Sequence, residues 1–486
     1  MNTLRWATVF HTRSDQLDPA TINSIGDYEL IMNLYRPLVE YDQTNKLVPA
    51  VASSFQWKQN RLYFSFRPDR VVTIDGYQIT AEDAALSLKR SIYFGQTGHG
   101  DLRRFLCPNF VLPSIYDICP GIGVGDDMLV LTPVDPAFKP HLLKVLESSD
   151  HSIVPTRSIN LESKQLPIVS HRNTSGPYYI EKDDVGGAWL LKANSSHYLY
   201  NNEMPQTVQL IPVSYSRVIQ DLIDGRVDLL TASSLAAGLD SSEVLAKKDT
   251  FDAHESLPFN VRLICFSESA FRDFSADDRF YVASIVEEFV LKTYQKPSRR
   301  LTVEFFQDSS EGQLSDEQRE LIRILRESNR NRTLTRPMTI GALKKDLPYY
   351  CKAFENSPEI KLVEIPNYAP ALVPDERPDI YLLGTDTALT ESLSVLGHNF
   401  NAGIFHLHGF SPQKWMSEYI ETESREDRLH KLRELHFDLL RNAVIYPVFV
   451  SPYYSFARKP WKTGFSPVSS GGELWQMRRD RIIGRQ

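Results

Sequence analysis

Apolar residues recur along this chain with two different periods, the strict alternation of a strand and the wider spacing of a helix. Segments of these two kinds succeed one another from end to end. Residues 55–66 alternate between apolar and polar on both sides of a turn at Gln59, which predicts a β-hairpin. Residues 80–94 carry apolar side chains at helical spacing, and Thr80 with Asp83 forms the start signal known as a capping box. Strands and helices interleaved in this way predict an α/β protein.

The stretch DIYLLGTDTALTESLSVL, residues 379–396, joins an extended apolar run to a second run with helical spacing. The first run predicts a strand that stops at Gly384, after which Thr385 and Asp386 form a polar turn. A helix is expected to begin near Ala388. Loops between a strand and a helix often hold ligand-binding residues, so Asp386 is either a ligand-binding group or the N-cap of that helix. The pattern leaves both interpretations open.

Length and composition indicate a folded protein with more than one domain. The chain has 486 residues, more than one ordinary core supports, and it is 42% hydrophobic and 24% charged, as folded proteins are. A net charge of −7 argues against nucleic-acid binding, which needs a basic face. No apolar run approaches the roughly 18 residues of a membrane span, and no signal-peptide pattern follows Met1. The protein is therefore cytosolic, or its leader has been removed.

The chain has four cysteines, and no two of them form a Cys-x-x-Cys pair. This spacing argues against a zinc site. Cys107 and Cys119 flank a loop and are the expected disulfide if the protein is exported. Cys265 lies in an apolar run that predicts a buried strand. The cysteines alone leave the compartment open.

Catalytic motifs are absent from the sequence. It contains no Gly-x-Ser-x-Gly, no His-Glu-x-x-His and no phosphate-binding loop with Gly-Lys-Ser or Gly-Lys-Thr. His406 and His408 would project from the same side of a strand, as paired metal ligands do, but two imidazoles are fewer than a metal site requires. A polar edge of an otherwise apolar segment is the preferred interpretation. We therefore expect no catalytic residues, no metal and no cofactor.

Four segments that occur in a fixed order are more specific than any single motif. They are LDPATINSIGDYELIMNLYRPLVEYDQTNKLVPAVASSFQW, LYFSFRPDRVVTIDGYQITAEDAALSLKRSI, SGPYYIEKDDVGGAWLLKANSSHY and VIQDLIDGRVDLL. Together they resemble the solute-binding proteins of bacterial ABC importers, in the family that takes oligopeptides, dipeptides and nickel (family 5). The resemblance is strong over residues 1–235 and weak from about 280 to 370.

The resemblance implies a periplasmic-binding-protein type II fold, in which two lobes joined by a hinge close on a solute between them. One lobe is expected to carry an extra α/β domain. The implied division assigns 1–34, 172–258 and 446–486 to lobe one, 35–171 to its extra domain, and 259–445 to lobe two.

The resemblance also assigns a place to the stretch at 379–396. In peptide-binding members, a tryptophan follows the matching glycine, and an aspartate three residues further on receives the free amino group of the peptide. Here Gly384 is kept, but Thr385 replaces the tryptophan and Ala388 replaces the aspartate. A buried ammonium group needs a partner carboxylate. Either Asp386 takes that role, or the solute has no free amine at this position.

The remaining expected ligand contacts lie where elements end at the implied cleft. A peptide can add as an extra strand to the polar end of the first strand, at His11, Thr12 and Arg13. The aromatic residues Tyr93 and Phe94 end the helix that starts at Thr80. Two amides, Asn399 and Asn401, lie in a glycine-rich segment. The structural alternatives are a surface charge for Arg13, core packing for the two aromatic residues, and turn formation for the two amides. The full candidate ligand-binding set is His11, Thr12, Arg13, Tyr93, Phe94, Gly384, Thr385, Asp386, Asn399 and Asn401.

The expected function is that of an extracytoplasmic receptor that binds a peptide or peptide-like solute and delivers it to the permease subunits of an ABC importer. The protein is expected to be a monomer without nucleic-acid partners. It would lie in the periplasm, or outside the cell anchored to the membrane, after removal of its leader. The alternative is a cytoplasmic ligand-sensing domain of the same fold from a transcription regulator, and an enzyme is the third possibility.

Overall fold

The structure is a computed structural model of the chain. It describes residues 3–8, 17–22, 24–42, 46–68, 70–94, 102–107, 118–163, 166–183, 189–214, 216–235, 242–294, 299–307, 312–329, 332–344, 347–366, 369, 372–386, 393–401, 403–467, 469 and 471–480. The chain divides into two compact units: Met1–Leu257 with Tyr453–Gln486 form unit 1, and Pro258–Pro452 form unit 2. The finer division, with an extra domain over 35–171, stays a prediction.

The strands in the described residues are β1 (Thr3–Thr8), β2 (Val39–Tyr41), β3 (Leu47–Pro49), β4 (Ser54–Lys58), β5 (Arg61–Ser65), β6 (Ile122–Gly125), β7 (Met128–Leu131), β8 (Tyr178–Asp183), β9 (Trp189–Ala193), β10 (Thr207–Pro212), β11 (Leu229–Leu230), β12 (Phe251–Glu255), β13 (Asn260–Phe266), β14 (Arg300–Leu301), β15 (Met338–Leu343), β16 (Ile360–Ile365), β17 (Ile380–Asp386), β18 (Ile445–Ser451), β19 (Tyr454–Arg458), β20 (Trp461–Lys462) and β21 (Arg478–Arg479). The α-helices are α1 (Ile25–Leu34), α2 (Ala81–Phe94), α3 (Leu102–Leu106), α4 (Lys139–Val145), α5 (Val218–Ile223), α6 (Ser242–Ala246), α7 (Glu268–Asp273), α8 (Ala276–Tyr294), α9 (Asp316–Ser328), α10 (Leu347–Ala353), α11 (Leu393–Asn401), α12 (Pro412–Glu421) and α13 (Arg425–Arg441). None of these helices is both long and apolar enough to cross a membrane.

The main sheet of unit 1 has seven strands in the described part of the chain, in the order β12-β19-β11-β1-β10-β9-β8. Strand β1 is parallel to β10 and β11, and the other neighbouring strands are antiparallel. Trp6 of β1 is buried in the core, and its indole Nε1 donates a hydrogen bond to Oγ1 of Thr231 over 3.1 Å. The predicted first strand is therefore the central strand of this sheet.

A second, antiparallel sheet in unit 1 follows the order β4-β5-β7-β6 among the described residues. Strands β4 and β5 form the predicted hairpin, with Gln59 at a φ of 55° in its turn. Helix α2 begins with the predicted capping box, since the Thr80 N–H donates to Asp83 Oδ2 over 2.9 Å and the Asp83 N–H donates to Thr80 Oγ1 over 3.4 Å. Both predictions are confirmed.

Unit 2 is built on one mixed sheet whose six strands, in the described residues, follow the order β14-β18-β13-β17-β15-β16. Strand β15 is parallel to β16 and β17, and α10 connects β15 to β16 as a βαβ unit. Strand β13 lies between β17 and β18 and is antiparallel to both. Cys265 is fully buried in β13, as its apolar surroundings predict.

A disulfide joins Cys107 to Cys119, the pairing expected from the sequence. The two Cα atoms are 5.5 Å apart, which lies within the range that a disulfide spans. Both cysteines are buried, and together they close a loop of unit 1.

The prediction of a strand at His406 and His408 is wrong. Described residues 403–411 lie in no helix or strand, and Gly403 and Gly409 adopt φ values of +64° and +70°, which a strand does not contain. His406 instead packs edge-on against the ring of Phe271, with ring centroids 5.4 Å apart. Within the described residues, no three His, Cys, Asp or Glu side chains are grouped so that they could hold a metal ion.

Candidate ligand-binding site

Three strands of the unit 2 sheet carry polar residues at the same end of the sheet. Strand β13 begins at Asn260, and the antiparallel register places Asn260 between Asp386 at the end of β17 and Ser451 at the end of β18. These strand ends lie close in sequence to Pro258 and Pro452, where the chain enters and leaves unit 2. An amide, a carboxylate and a hydroxyl group therefore stand side by side, a set of groups that can hydrogen-bond a solute. We call these three residues, together with Arg262 and Gly384, the polar end of the unit 2 sheet.

Asp386 is the last residue of β17 and does not lie in a turn, so the predicted end of the strand at Gly384 is wrong. The strand continues because Gly384 pairs with Arg262, and Asp386 pairs with Asn260, on the neighbouring strand β13. The Nδ2 group of Asn260 donates a hydrogen bond to Oδ1 of Asp386 over 2.8 Å. The Asp386 side chain is exposed and Thr385 is half-buried. Asp386 is thus a carboxylate oriented by an amide at the surface of unit 2.

Arg262 is a member of this group that the sequence reasoning missed. Its guanidinium Cζ and Nη1 atoms lie 3.7 Å from the position that a Cβ atom would occupy at Gly384, and Oδ1 of Asn260 lies at the same distance. Arg262 is half-buried, whereas the following residues of β13, from Leu263 to Phe266, are buried. The one available signal was an arginine within the apolar run NVRLICF, but only the pairing of β13 with β17 places it beside Gly384.

Helix α11 contradicts the loop that was expected at Asn399 and Asn401. Both residues belong to the helix, and the glycine turn begins only after it, at Gly403. Asn399 is fully buried, and its Nδ2 group donates to the carbonyl oxygen of Val395 over 2.7 Å, which is a bond along the helix. Its Oδ1 atom has no hydrogen-bond partner among the described residues. The side chain of Asn401 and the helix start expected near Ala388 lie outside the described residues.

Tyr93 and Phe94 end helix α2, as predicted, and both pack against the core of unit 1. Their ring centroids are 5.1 Å apart at 80°, and the Arg90 guanidinium lies 4.9 Å from the centroid of Phe94. Arg90 also forms a salt bridge with Asp18. The observed contacts are those of core residues, and a pocket-lining role for this pair stays a prediction. Three further candidates lie outside the described residues: His11, Thr12 and Arg13.

A separate group of polar side chains is buried in unit 1 around Glu29 of α1. Thr231 Oγ1 donates to the carboxyl group over 2.7 Å, the Ser233 N–H donates over 3.1 Å, and the Ser233 hydroxyl also donates. Burial raises the pKa of Glu29 to about 8, and the nearby Glu473 carboxyl acts in the same direction. No local sequence pattern indicates this group, because its members lie far apart along the chain.

No family model matches the chain, and no curated protein matches it. Solved structures match its fold over almost the whole length. The Escherichia coli murein tripeptide binding protein MppA is 15% identical, with a TM-score of 0.75 and 98% of both chains covered. The ABC transporter-associated periplasmic binding protein DppA from Helicobacter pylori, in complex with the peptide STSA, is 14% identical, with a TM-score of 0.75 and 99% of this chain and 98% of that chain covered. NikA from Brucella suis, in complex with Fe(III)-EDTA, is 14% identical, with a TM-score of 0.74 and 98% of this chain and 100% of that chain covered.

These matches show that the chain has the type II periplasmic-binding-protein fold. The fold class predicted from the order of the sequence motifs is therefore confirmed, and the resemblance on which it rested holds at the level of the fold. At 14% to 15% identity, the likeness extends to the fold alone.

Proposed function

We propose that this protein is the solute-binding receptor of an ABC importer, and that it binds a peptide or peptide-like solute and delivers it to a membrane permease. The main support is the fold match over 98% and 99% of the chain to proteins described as binding a murein tripeptide and the peptide STSA. The polar end of the unit 2 sheet supplies the hydrogen-bonding groups that a peptide backbone needs. We propose binding without catalysis.

The disulfide between Cys107 and Cys119 supports a location outside the cytoplasm. Structural disulfides persist in oxidising compartments and are rare in the cytosol of most organisms, where thiols are kept reduced. This observation favours an exported receptor over a cytoplasmic sensing domain of the same fold. We accordingly propose that the protein acts in the periplasm, or at the outer face of the membrane.

Asp386 is the proposed anchor for a free amino group of the solute. It would take the role of the aspartate that the resemblance implies at the position of Ala388. Its carboxylate is exposed at the surface of unit 2, and the bond from Asn260 occupies Oδ1. A carboxylate has about four acceptor positions, so a bond from Asn260 is compatible with a further bond from an ammonium group. The other proposed contacts are those expected from the sequence: His11, Thr12, Arg13, Tyr93, Phe94, Gly384, Thr385, Asn399 and Asn401.

Retention of peptides by the purified protein tests the proposal. The full chain is mixed with synthetic di-, tri- and tetrapeptides, separated from free peptide by gel filtration, and unfolded, and the released peptides are identified by mass spectrometry. We expect retained peptides of unchanged mass, together with a rise in the melting temperature, since a ligand that binds only the folded state stabilises it. Uptake of a retained peptide by cells with and without this protein then tests delivery to a permease.

Two results would contradict the proposal. Absence of retention of any peptide would remove peptides as the solute class, and shortened peptides would indicate an enzyme.

A further inference from the structure

A short turn near the C-terminal end of unit 1, residues 471–473, packs against helix α1. A Cβ atom at Gly472 would lie 3.2 Å from Cγ of Glu29, so the backbone of the turn lies directly on that side chain. Asn33, four residues after Glu29 on α1, holds the turn through both ends of its amide. Its Nδ2 group donates to the carbonyl oxygen of Gly472 over 2.8 Å, and its Oδ1 atom accepts from the Leu474 N–H over 3.0 Å. We call residues 471–473 the glycine turn.

The glycine turn brings a second carboxyl group to the place where Glu29 is buried. Glu29 is fully buried and Glu473 is 6% exposed. The Ser469 hydroxyl donates to Oε1 of Glu473, whereas Oε2 of Glu473 has no hydrogen-bond partner among the described residues. Burial raises the pKa of Glu473, and the Arg36 guanidinium opposes this, although it also forms a salt bridge with Glu40. Two carboxyl groups are thus buried beside a cation that already pairs with a third.

The other titratable groups around the two carboxyl groups do not supply positive charge. The Tyr28 phenol interacts electrostatically with Glu473 and with Glu147. Burial and the neighbouring Asp150 raise the pKa of Glu147 to about 7, and burial raises the pKa of Asp150 to about 8. The Nε2 atom of His254 lies 3.3 Å from a backbone carbonyl oxygen two residues before the glycine turn, and burial lowers the pKa of this histidine. A neutral imidazole does not offset ionised carboxyl groups.

The packing of the glycine turn on α1 depends on protons, because an ionised carboxyl group is costly in a core. Burial raises the pKa of Glu29 from 4.5 to about 8, and the Glu473 charge acts in the same direction. The packed turn therefore keeps a proton that a carboxyl group in water releases within this interval. Its stability is fully present below the ordinary pKa and is lost as the pH rises through about 8.

The glycine turn, and not α1, is the element that can move. Glu29 lies in the middle of a regular helix, Ile25–Leu34. Gly471 and Gly472 add no side chain to the core, and their φ values of +89° and +108° belong to a turn that pairs with no strand. Leu474, directly after the turn, is fully buried and holds the following chain in the core. The turn can therefore leave α1 while the following chain stays in the core.

We propose that the glycine turn is a proton-operated latch of unit 1. It is closed on α1 while Glu29 and Glu473 together hold at least one proton, and it moves into water when both carboxyl groups are ionised. Opening of the latch gives water access to the buried Glu29 carboxyl group and to its donors Thr231 and Ser233. The latch goes beyond the proposed function and is independent of it, because no solute takes part.

Hydrogen–deuterium exchange of the full chain, measured by mass spectrometry at about pH 6 and about pH 9, tests the latch. The amides that report on the closed turn are the N–H groups of Gly471 and Leu474, which donate to Ser469 Oγ and Asn33 Oδ1. Their protection is corrected for the faster chemical exchange at high pH. In wild-type protein it should fall at least about tenfold more than that of the β1 amides, since a raised carboxyl pKa weakens the packing about tenfold per pH unit.

Variants test whether the two carboxyl groups cause this change. The double variant Glu29→Gln/Glu473→Gln should show less than about a twofold difference between the two pH values, because glutamine stays neutral. Each single variant should show a smaller fall than the wild type. Glu82→Gln removes an exposed carboxylate of α2 in the same unit, and as the matched control it should behave as the wild type. Asn33→Ala removes both bonds that hold the turn and should leave it unprotected at both pH values.

Three outcomes would overturn the latch. Protection of the turn in wild-type protein that is the same at both pH values would show that its packing binds no proton. An equal fall in the turn and in β1 would mean that unit 1 opens as a whole. A fall that persists unchanged in the double variant would assign the effect to other groups. The first two outcomes need wild-type protein alone and stay decisive if a variant does not fold.

Discussion

The backbone N–H of Ser233 donates a hydrogen bond to Oε1 of Glu29 over 3.1 Å, although the two residues are 204 positions apart in the chain. Oε2 of the same carboxyl group accepts hydrogen bonds from the hydroxyl groups of Thr231 and Ser233. One turn further along α1, Asn33 Nδ2 donates to the carbonyl oxygen of Gly472 over 2.8 Å. Polar contacts inside the core thus tie α1 to the turn after β11 and to the C-terminal segment of unit 1.

Glu29→Gln should change how the stability of the protein depends on pH. Burial raises the pKa of Glu29 from 4.5 to about 8, so the folded protein keeps a proton that the unfolded chain releases within this interval. The stability due to this proton is fully present below the ordinary pKa and is lost as the pH rises through about 8. Glutamine stays neutral, and the stability of the variant relative to wild type should therefore rise by more than about 1.4 kcal/mol between about pH 5 and about pH 9.

Urea denaturation of both proteins at about pH 5, 7 and 9 measures this difference. Glu355→Gln removes a negative charge from an exposed glutamate and is the control for a change in net charge. A difference between Glu29→Gln and wild type that is the same at all three pH values would show that Glu29 binds no extra proton in the folded protein.

The sequence predicted those elements whose causes lie within a few residues. The capping box of Thr80 and Asp83 and the hairpin turn at Gln59 depend on neighbours in the chain, and both are present. The end of β17 depends instead on pairing with β13. In that pairing Asn260 hydrogen-bonds Asp386, although the two residues are 126 positions apart in the chain. No local pattern contains that pairing, and the strand therefore continues where the glycine predicted a stop.

The same argument explains the incomplete prediction of the site. Asp386 was chosen from its local pattern, whereas Arg262 becomes a candidate only when β13 and β17 are paired. Only the loop expected at Asn399 is wrong: a glycine-rich segment predicts a turn, whereas Asn399 lies in α11 and its amide bonds to Val395. Side chains that meet through the sheet can be found only after the strand order is known.

Gly176→Ala should destabilise unit 1. A Cβ atom at Gly176 would lie 2.5 Å from the carbonyl oxygen of Asn33 and 2.5 Å from the carbonyl carbon of Leu34. Both are backbone atoms and cannot rotate away, so we expect a loss of about 3 kcal/mol, near the upper end for an overpacked site. Gly125→Ala is the control, because a Cβ atom there would meet nothing within 4 Å. Equal urea midpoints for the two variants would contradict the prediction.

Removal of the Cys107–Cys119 disulfide should also lower stability. The two residues are 12 positions apart, and a cross-link that closes a loop of this length contributes about 3 kcal/mol by restricting the unfolded chain. Denaturation of Cys107→Ser/Cys119→Ser under non-reducing conditions measures the loss. Cys351→Ser replaces an exposed free cysteine and should unfold as the wild type does. A double variant as stable as this control would indicate that the disulfide contributes nothing.

Asp386→Asn should weaken a solute that carries a free amine and should spare the same solute after N-acetylation. The substitution keeps an acceptor oxygen for the bond from Asn260 Nδ2, now 2.8 Å long, and removes only the negative charge. If Asp386 binds the ammonium group, affinity for the free-amine peptide should fall by more than about 1.4 kcal/mol, or about tenfold. Calorimetry with one retained tripeptide and its N-acetylated form measures the two affinities.

The pair of ligands decides which role Asp386 has. A loss confined to the free-amine peptide identifies a direct charge contact, since acetylation removes that charge from the solute. If Asp386 is instead the N-cap of a helix near Ala388, neither affinity should change and little stability should be lost, because asparagine caps about as well as aspartate. An equal loss for both peptides would mean that the carboxylate acts on the solute indirectly, by orienting Asn260. Asp375→Asn, at an exposed position of unit 2, should leave both affinities unchanged, because it removes one charge from the same unit outside the polar end of the sheet.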